Sequence, residues 1–254
     1  MYKTIFSFLL VSVFSFQLSA QQLKDDLTRL QSGEDVKVLY RHEASFGLFM
    51  HSAGGFGMAY RRGEHVTAKR KRMFEIELSN FKHPKEVKSV NSYYSNSKGF
   101  VYGKLNSILL VRPGIGLQNV LYQKSDKKSV EIRYSYFVGA TLAFAKPVYL
   151  EIKKGTFSSM PTTERYNPEI HKQEDIFGKA SFFKGINKTI IYPAAYAKLA
   201  LSFEYADRYN ALKAIETGVV LDVYPKALPM IAYNKKQQAY ISLYLKIIWG
   251  KKWF

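Results

Sequence analysis

The chain has 254 residues, no cysteine, a formal net charge of +18 and a mean hydropathy of -0.19. The missing cysteine excludes disulfides, thiolate metal sites, cysteine nucleophiles and lipid attachment through a thiol. Aromatic residues make up 15% of the chain, with 19 Tyr and 18 Phe, a load better suited to girdles of rings around a polar interior than to a buried soluble core.

The N-terminus sets the compartment. Lys3 precedes a run from Ile5 to Phe16 built almost wholly of Phe, Leu, Val and Ser, followed by Leu18-Ser19-Ala20-Gln21. A basic start, a short apolar core and a small residue before a polar one read as a secretory signal over residues 1–20, cleaved after Ala20. As a membrane anchor the run is short for about 30 Å of hydrocarbon. Export takes the chain away from nucleic acid, and it carries no helix-turn-helix, zinc-finger or RNA-binding motif, so nucleic acid is excluded as a partner. The positive charge then points to anionic lipid head groups, near which each cationic side chain gains about 1 kcal/mol.

Residues 21–43 are polar, with Leu23, Leu27 and Leu30 at helical spacing, and read as a periplasmic N-terminal segment with a short helix. From Ala44 the period changes to two, the signature of strands with unlike faces. Strand one covers about 44–52, with Phe46, Leu48 and Met50 on one face and Ser45, Gly47 and His51 on the other. Ala53-Gly54-Gly55 is a tight hairpin turn. Strand two covers about 56–62 and strand three about 72–80, with Phe74, Ile76 and Leu78 against Glu75 and Glu77. Strand four covers about 107–118, where Pro113 lacks a ladder donor and predicts a bulge.

The stretch 130–152 is the most informative. Val130, Ile132, Tyr134, Tyr136, Val138, Ala140, Leu142 and Phe144 alternate with Glu131, Arg133, Ser135, Phe137, Gly139, Thr141, Ala143 and Ala145, and Val148, Leu150 and Ile152 continue the apolar set. Strands of soluble domains run about 3–10 residues. A longer one with a continuous apolar face requires lipid on that face and a small, polar, packed interior on the other. Strands six, seven and eight follow at about 195–205, 212–223 and 238–250. With a periplasmic start, the longer connections 83–103, 153–190 and 224–237 fall outside, and the shorter 63–71, 119–128 and 206–211 fall inside. That asymmetry predicts an all-β fold: an antiparallel transmembrane β-barrel over residues 44–254 with eight strands, ten being the alternative count; splitting 130–152 into a hairpin near Gly139 and Ala140 would make the count odd and invert the loop pattern.

The signal peptide, these strands, the stretch Tyr102-Gly103-Lys104-Leu105-Asn106 leading into Leu110-Val111-Arg112-Pro113-Gly114, and the aromatic end Trp253-Phe254 together resemble small bacterial outer-membrane β-barrel proteins. The resemblance covers nearly the whole mature chain. It implies location in the bacterial outer membrane, contact with outer-membrane lipids including lipopolysaccharide, and insertion by the barrel-assembly machinery with Trp253 and Phe254 as the signal it reads. It also leaves room for a periplasmic or outer-membrane protein partner.

The inward faces carry a nearly balanced set of charges: Glu75, Glu77, Glu131, Glu204, Glu216 and Asp222 against Arg61, Arg112, Arg133, Lys198 and Lys246. An eight-stranded barrel is just wide enough for side chains to fill, so these residues predict a salt-bridged plug; a narrow pore is the competing expectation. For catalysis, His83 and His171 lie in outer loops with Ser89 and Asp175 near them in sequence, but no nucleophile elbow, metal-ligand spacing or phosphate loop accompanies them. Glu169, His171, Glu174 and Asp175 could collect a cation, yet read as a solvated loop face. The sequence calls for no cofactor and no metal. Its basic clusters are His65 to Arg72 at an inner turn and Lys82, Lys85 and Lys88 at the outer rim, the latter placed to hold lipid phosphates. A non-enzymatic membrane scaffold, accessory subunit or surface interaction protein is the function these features predict, with a rim-located lipid-modifying enzyme or a narrow pore as the alternatives.

Overall fold

A computed structural model describes residues 40–94, 96–124, 129–153, 160–205, 210–234 and 237–254. The signal peptide over 1–20 and the helix expected after it lie outside the described residues.

Eight strands close into one antiparallel barrel: β1 (His42–His51), β2 (Gly55–His65), β3 (Arg70–Phe81), β6 (Asn106–Tyr122), β7 (Glu131–Pro147), β11 (Ile190–Glu204), β12 (Ala211–Val223) and β13 (Ala239–Trp253). Each strand pairs with its neighbour in this order, and β1 closes on β13 from His42↔Trp253 to His51↔Tyr244. Closure removes every free edge, the condition for backbone to cross hydrocarbon as strands. The barrel begins at His42, two residues ahead of the boundary expected at Ala44.

Alternation carries through every strand. On β13 the outward Ile241, Leu243, Leu245, Ile247 and Trp249 are all exposed, while Ser242, Tyr244, Lys246 and Ile248 are buried. Ile241 to Trp249 runs about 26 Å along the strand, which at the usual tilt crosses most of an outer-membrane apolar band of about 25 Å. Leu199, Ile115 and Val138 continue this apolar band on other strands. A continuous apolar surface of this kind is unstable in water and stable in lipid.

Two local expectations change. The stretch 130–152 is not one strand: β7 ends at Pro147, and β8 (Tyr149–Ile152) joins β9 (Thr162–Arg165) and β10 (Ile176–Lys179) in a separate sheet above the barrel. The break sits at Val148, whose N–H donates to the Leu105 carbonyl, drawing the chain off the barrel wall. The bulge expected at Pro113 is also absent there. Pairing with β3 runs through Ile76↔Pro113, and the β7 register is the same on both sides, Val111↔Leu142 and Gly114↔Gly139, with only the two intervening pairs missing. A lost ladder donor costs pairing on one side without shifting register. The irregularity lies lower, between Val120 and Tyr122.

Gly139 and Gly114 face each other beside this proline because two walls meet there. A Cβ on Gly139 would lie 2.2 Å from the Pro113 carbonyl oxygen, and one on Gly114 would lie 1.9 Å from the Tyr196 hydroxyl. In the first hairpin Gly54 takes φ +68, the left-handed conformation the turn requires.

Outside the barrel, a second core of Phe100, Leu150, Ile152, Tyr166 and Ile176 holds the three-stranded sheet together, with the two-stranded β4 (Lys88–Ser89) and β5 (Phe100–Val101) beside it. Burial pushes the Tyr166 hydroxyl up to about 12. The loops on this face therefore form an ordered platform.

Candidate functional site: a charged lumen under an apolar cap

The inward positions of eight strands bring the charged side chains into two groups. The upper group holds Arg61, Arg112, Lys198 and Lys246 with Glu75, Glu77, Glu216 and Asp222, four cations and four anions, all buried. Arg61 grips Glu216 in a bidentate pair at 2.7 and 2.9 Å and donates its Nε to Glu75 at 2.8 Å. Arg112 forms a second fork on Asp222 at 3.0 and 2.6 Å, where Thr141 Oγ1 also donates at 2.6 Å. Between these forks Lys246 bridges Glu75 at 3.0 Å and Glu77 at 2.7 Å, and Lys198 bridges the same two carboxylates, at 2.9 Å to Glu77. The partners come from well-separated strands, β2 to β12 and β6 to β12, so the pairs tie the walls of the barrel across its axis.

Aromatic rings pad the network. Lys198 Nζ lies 4.5 Å and Arg61 Cζ 4.9 Å from the Phe137 centroid, and Lys246 Nζ lies 5.2 Å from that of Phe49. Tyr244 donates its hydroxyl to Glu216 at 2.8 Å.

The lower group lies toward the end of the barrel where β1 begins and β13 ends. Arg133 contacts Glu131 at 2.6 Å, Glu204, and Glu43 at 3.7 Å. Lys71 pairs with Glu43, and Glu204 also meets Lys252 at 2.6 Å and Lys124 at 3.6 Å. Glu43, Lys71 and Lys252 were not among the expected lumen residues. Glu43 fell in the N-terminal segment, Lys71 in a basic turn, and Lys252 beyond strand eight. Their signal was phase: Glu43 precedes the inward Ser45 by two residues, Lys71 precedes Met73 and Glu75 at the same spacing, and Lys252 follows Lys246 by six. The inner basic cluster is correspondingly reduced, since Lys71 is buried and Arg70 donates to Asn119 Oδ1 at 2.9 Å.

Above the upper group the outer mouth closes with apolar residues. Phe81, Ile108, Leu110, Ala143 and Ala145 of the strands pack against Tyr224, Leu228 and Met230 of the loop after β12. That loop is pinned by backbone bonds from Leu105 N to the Met230 carbonyl at 2.9 Å and from Ala232 N to the Gly103 carbonyl at 2.8 Å, and by Asn106 Nδ2 to the Pro229 carbonyl at 2.6 Å.

The histidines of the outer loops are tied into the loops themselves. His171 Nδ1 accepts from the Asn167 N–H at 3.1 Å, so Nε2 carries the proton and faces Glu164 at 3.2 Å. Thr162 Oγ1 donates to the other oxygen of Glu164 at 3.2 Å, which places the carboxylate between hydroxyl and imidazole. A hydrolytic triad needs the imidazole in the middle with a free basic nitrogen; here neither nitrogen is free. His83 Nδ1 accepts from the Lys85 N–H at 3.1 Å and Nε2 lies 2.8 Å from the Asn234 amide, while partial burial, with Lys85 alongside, lowers its pKa. Among the described residues neither Ser89 nor Asp175 is a partner of either histidine, and no cluster of three or more His, Asp and Glu is arranged to hold a metal ion.

Lys82 and Lys85 are exposed on the loop after β3 and Lys88 is exposed at the start of β4; Lys85 Nζ reaches Asn234 at 3.3 Å. Trp253 ends β13 in phase with Trp249, and the Phe254 ring lies 5.1 Å from Tyr40.

A closed eight-stranded antiparallel barrel with an apolar band on its outer wall and a charged, packed interior has the architecture of a small outer-membrane β-barrel protein. The sequence matches no protein-family model and no curated protein. Among solved structures it is similar to Ail, the attachment invasion locus protein of Yersinia pestis, crystallised with the heparin analogue sucrose octasulfate, at TM-score 0.40 and 7% identity over 85% of this chain and 100% of that one. Neisserial surface protein A follows at TM-score 0.37 and 11% identity, over 84% and 95%. The N-terminal β-barrel domain of Pseudomonas aeruginosa OprF gives 0.35 and 7%, over 83% and 97%. Likenesses at this level carry no role across to this chain.

Proposed function

We propose that the chain is an exported, non-enzymatic outer-membrane barrel whose sealed lumen serves as a rigid support, and whose working surface is the platform of outer loops. The observation that carries this reading is the upper group of four cations and four anions linked across the barrel axis. Ions crossing the lumen would have to part pairs that are buried and mutually compensated, at several kcal/mol each, and then displace the apolar cap of Leu228 and Met230. A barrel so filled contributes stiffness and anchorage, which places recognition on its loops.

In this reading residues 1–20 direct export, Trp253 and Phe254 are read during insertion, and Lys82, Lys85 and Lys88 hold lipopolysaccharide phosphates at the rim. A scaffold, an accessory subunit and a surface interaction protein all fit it. The pore alternative is opposed by the crossed ion pairs, and the lipid-modifying enzyme by the absence of a free basic nitrogen on His83 or His171. Planar-bilayer recording tests the reading: the purified barrel should give no steady conductance, and a reproducible open channel of porin size would overturn it.

A further inference from the structure

The segment 181–188, between the outer sheet and β11, presents two neighbouring phenylalanines to the outside. Phe182 is 70% and Phe183 76% exposed, with ring centroids 5.7 Å apart in an edge-to-face pair. They are held there by a wound turn: Lys184 N donates to the Ser181 carbonyl, Ile186 N to Phe183, and Lys188 N to Gly185, where Gly185 has φ +84. A Cβ on Gly185 would lie 2.4 Å from the Tyr149 ring at the start of β8 and 3.5 Å from the Pro147 carbonyl oxygen, so the turn sits where the top of β7 passes into β8.

Where the phenylalanines stand relative to the membrane follows from register. Lys146 belongs to the outward set of β7, two residues above Phe144, and Phe144 lies level with Ile191 of β11 and Leu109 of β6. That row of Leu109, Phe144 and Ile191 is the upper margin of the lipid-facing wall. The Lys146 ammonium sits 4.0 Å from the Phe182 ring centroid and bonds the Phe182 carbonyl. Phe182 is therefore held by the first outward residue beyond that row, whose backbone lies about 6–7 Å further along the strand, past the margin of the lipid-facing wall.

The wall beneath is thin. The outward positions of β11 below Ile191 are Pro193, Ala195 and Ala197, and among the described strands only Phe56 and Phe144 place outward aromatics near the outer rim. Toward the periplasmic end Tyr60, Phe74, Tyr134, Phe203 and Trp249 supply that girdle. Lys184 and Lys188 follow the phenylalanines, a pairing of rings with cations that settles at a membrane interface.

We propose that residues 181–188 are an interfacial anchor: Phe182 and Phe183 enter the outer leaflet of the membrane the barrel spans, and Lys146, Lys184 and Lys188 lie against its lipid phosphates. The anchor completes the outer aromatic girdle at the β7–β11 seam from a loop rather than from a strand. This rests on the barrel lying in a bilayer, and the test separates the two.

Trp249→Phe with Trp253→Phe gives a background free of tryptophan. Into it a single reporter is placed by Phe183→Trp, by Phe144→Trp on the lipid-facing wall, or by Tyr233→Trp on a loop side chain that is 85% exposed. Each variant is reconstituted in phosphatidylglycerol vesicles with acyl chains brominated near the head group, and folding is checked by heat-modifiable migration. The reporter at 183 should be quenched like that at 144 and shielded from aqueous iodide, while that at 233 shows the reverse. Quenching at 144 with iodide access at 183 overturns the anchor and leaves the barrel standing; no quenching at 144 overturns both. Lys184→Glu with Lys188→Glu should reduce lipid quenching at 183 by about twofold or more in phosphatidylglycerol and have less effect in phosphatidylcholine. Equal effects in the two lipids overturn the phosphate contact.

Discussion

At the scale of single residues, Lys198 makes the most demanding statement. Its ammonium is buried on Glu75 and Glu77 and lies over Phe137, so it has no route to water and its solvation is supplied by two carboxylates. Lys198→Met removes the charge with little change in volume and leaves an excess negative charge in a space that cannot hydrate it. The expected cost is about 3–5 kcal/mol in reversible unfolding of the detergent-folded barrel, because breaking a buried pair leaves an uncompensated charge. Lys88→Ala on the exposed rim should stay within about 0.5 kcal/mol. Adding Glu77→Gln to Lys198→Met should recover much of the loss, since members of one network are not additive. Additive costs would mean that Glu77 and Lys198 are not coupled.

At the scale of elements, the loop over residues 224–231 is a cap whose apolar side chains and backbone bonds close the mouth above the ion pairs. Leu228→Ala with Met230→Ala should lower stability by about 2–5 kcal/mol and leave bilayer conductance at zero, because the charged barrier lies below. Conductance appearing in this variant alone would make the cap, rather than the charges, the seal. The faces of all eight strands were legible because period two persists wherever one side meets lipid and the other a packed interior. The end of β7 was not: Val148, Leu150 and Ile152 continue the alternation past Pro147, which has no ladder donor, and both backbone groups of Val148 are taken outside the barrel, its N–H by Leu105, more than forty residues away in the chain, and its carbonyl by Tyr166. The outer sheet was hidden because its strands have only four residues in otherwise polar segments. In the barrel interior the buried charged residues share the inward phase of their strands, while Glu43, Lys71 and Lys252 were missed at strand ends, where boundaries are least defined, as was Lys124 beyond β6. Which acid meets which base depends on the stagger of strands around the barrel, and no local pattern records that.

At the scale of the whole molecule, the upper lumen group is balanced, four against four, and the lower one nearly so, with Lys71, Lys124, Arg133 and Lys252 against Glu43, Glu131 and Glu204, so almost all of the formal excess of +18 is carried outside them. Some of that excess stands at the outer rim, where Lys82, Lys85 and Lys88 are exposed. If these lysines hold lipid phosphates, each contact is worth only about 1 kcal/mol, so a single substitution would be lost in measurement error and several must be changed together. Lys82→Glu, Lys85→Glu and Lys88→Glu combined should reduce co-purifying lipopolysaccharide and lower the thermal midpoint in lipopolysaccharide-containing bilayers, with little change in plain detergent. The contrast between environments carries the argument, because reversing three charges can also disturb the loop through the Lys85 contact with Asn234. A loss of equal size in detergent would assign these lysines to the fold of the platform and withdraw lipid phosphate as their partner.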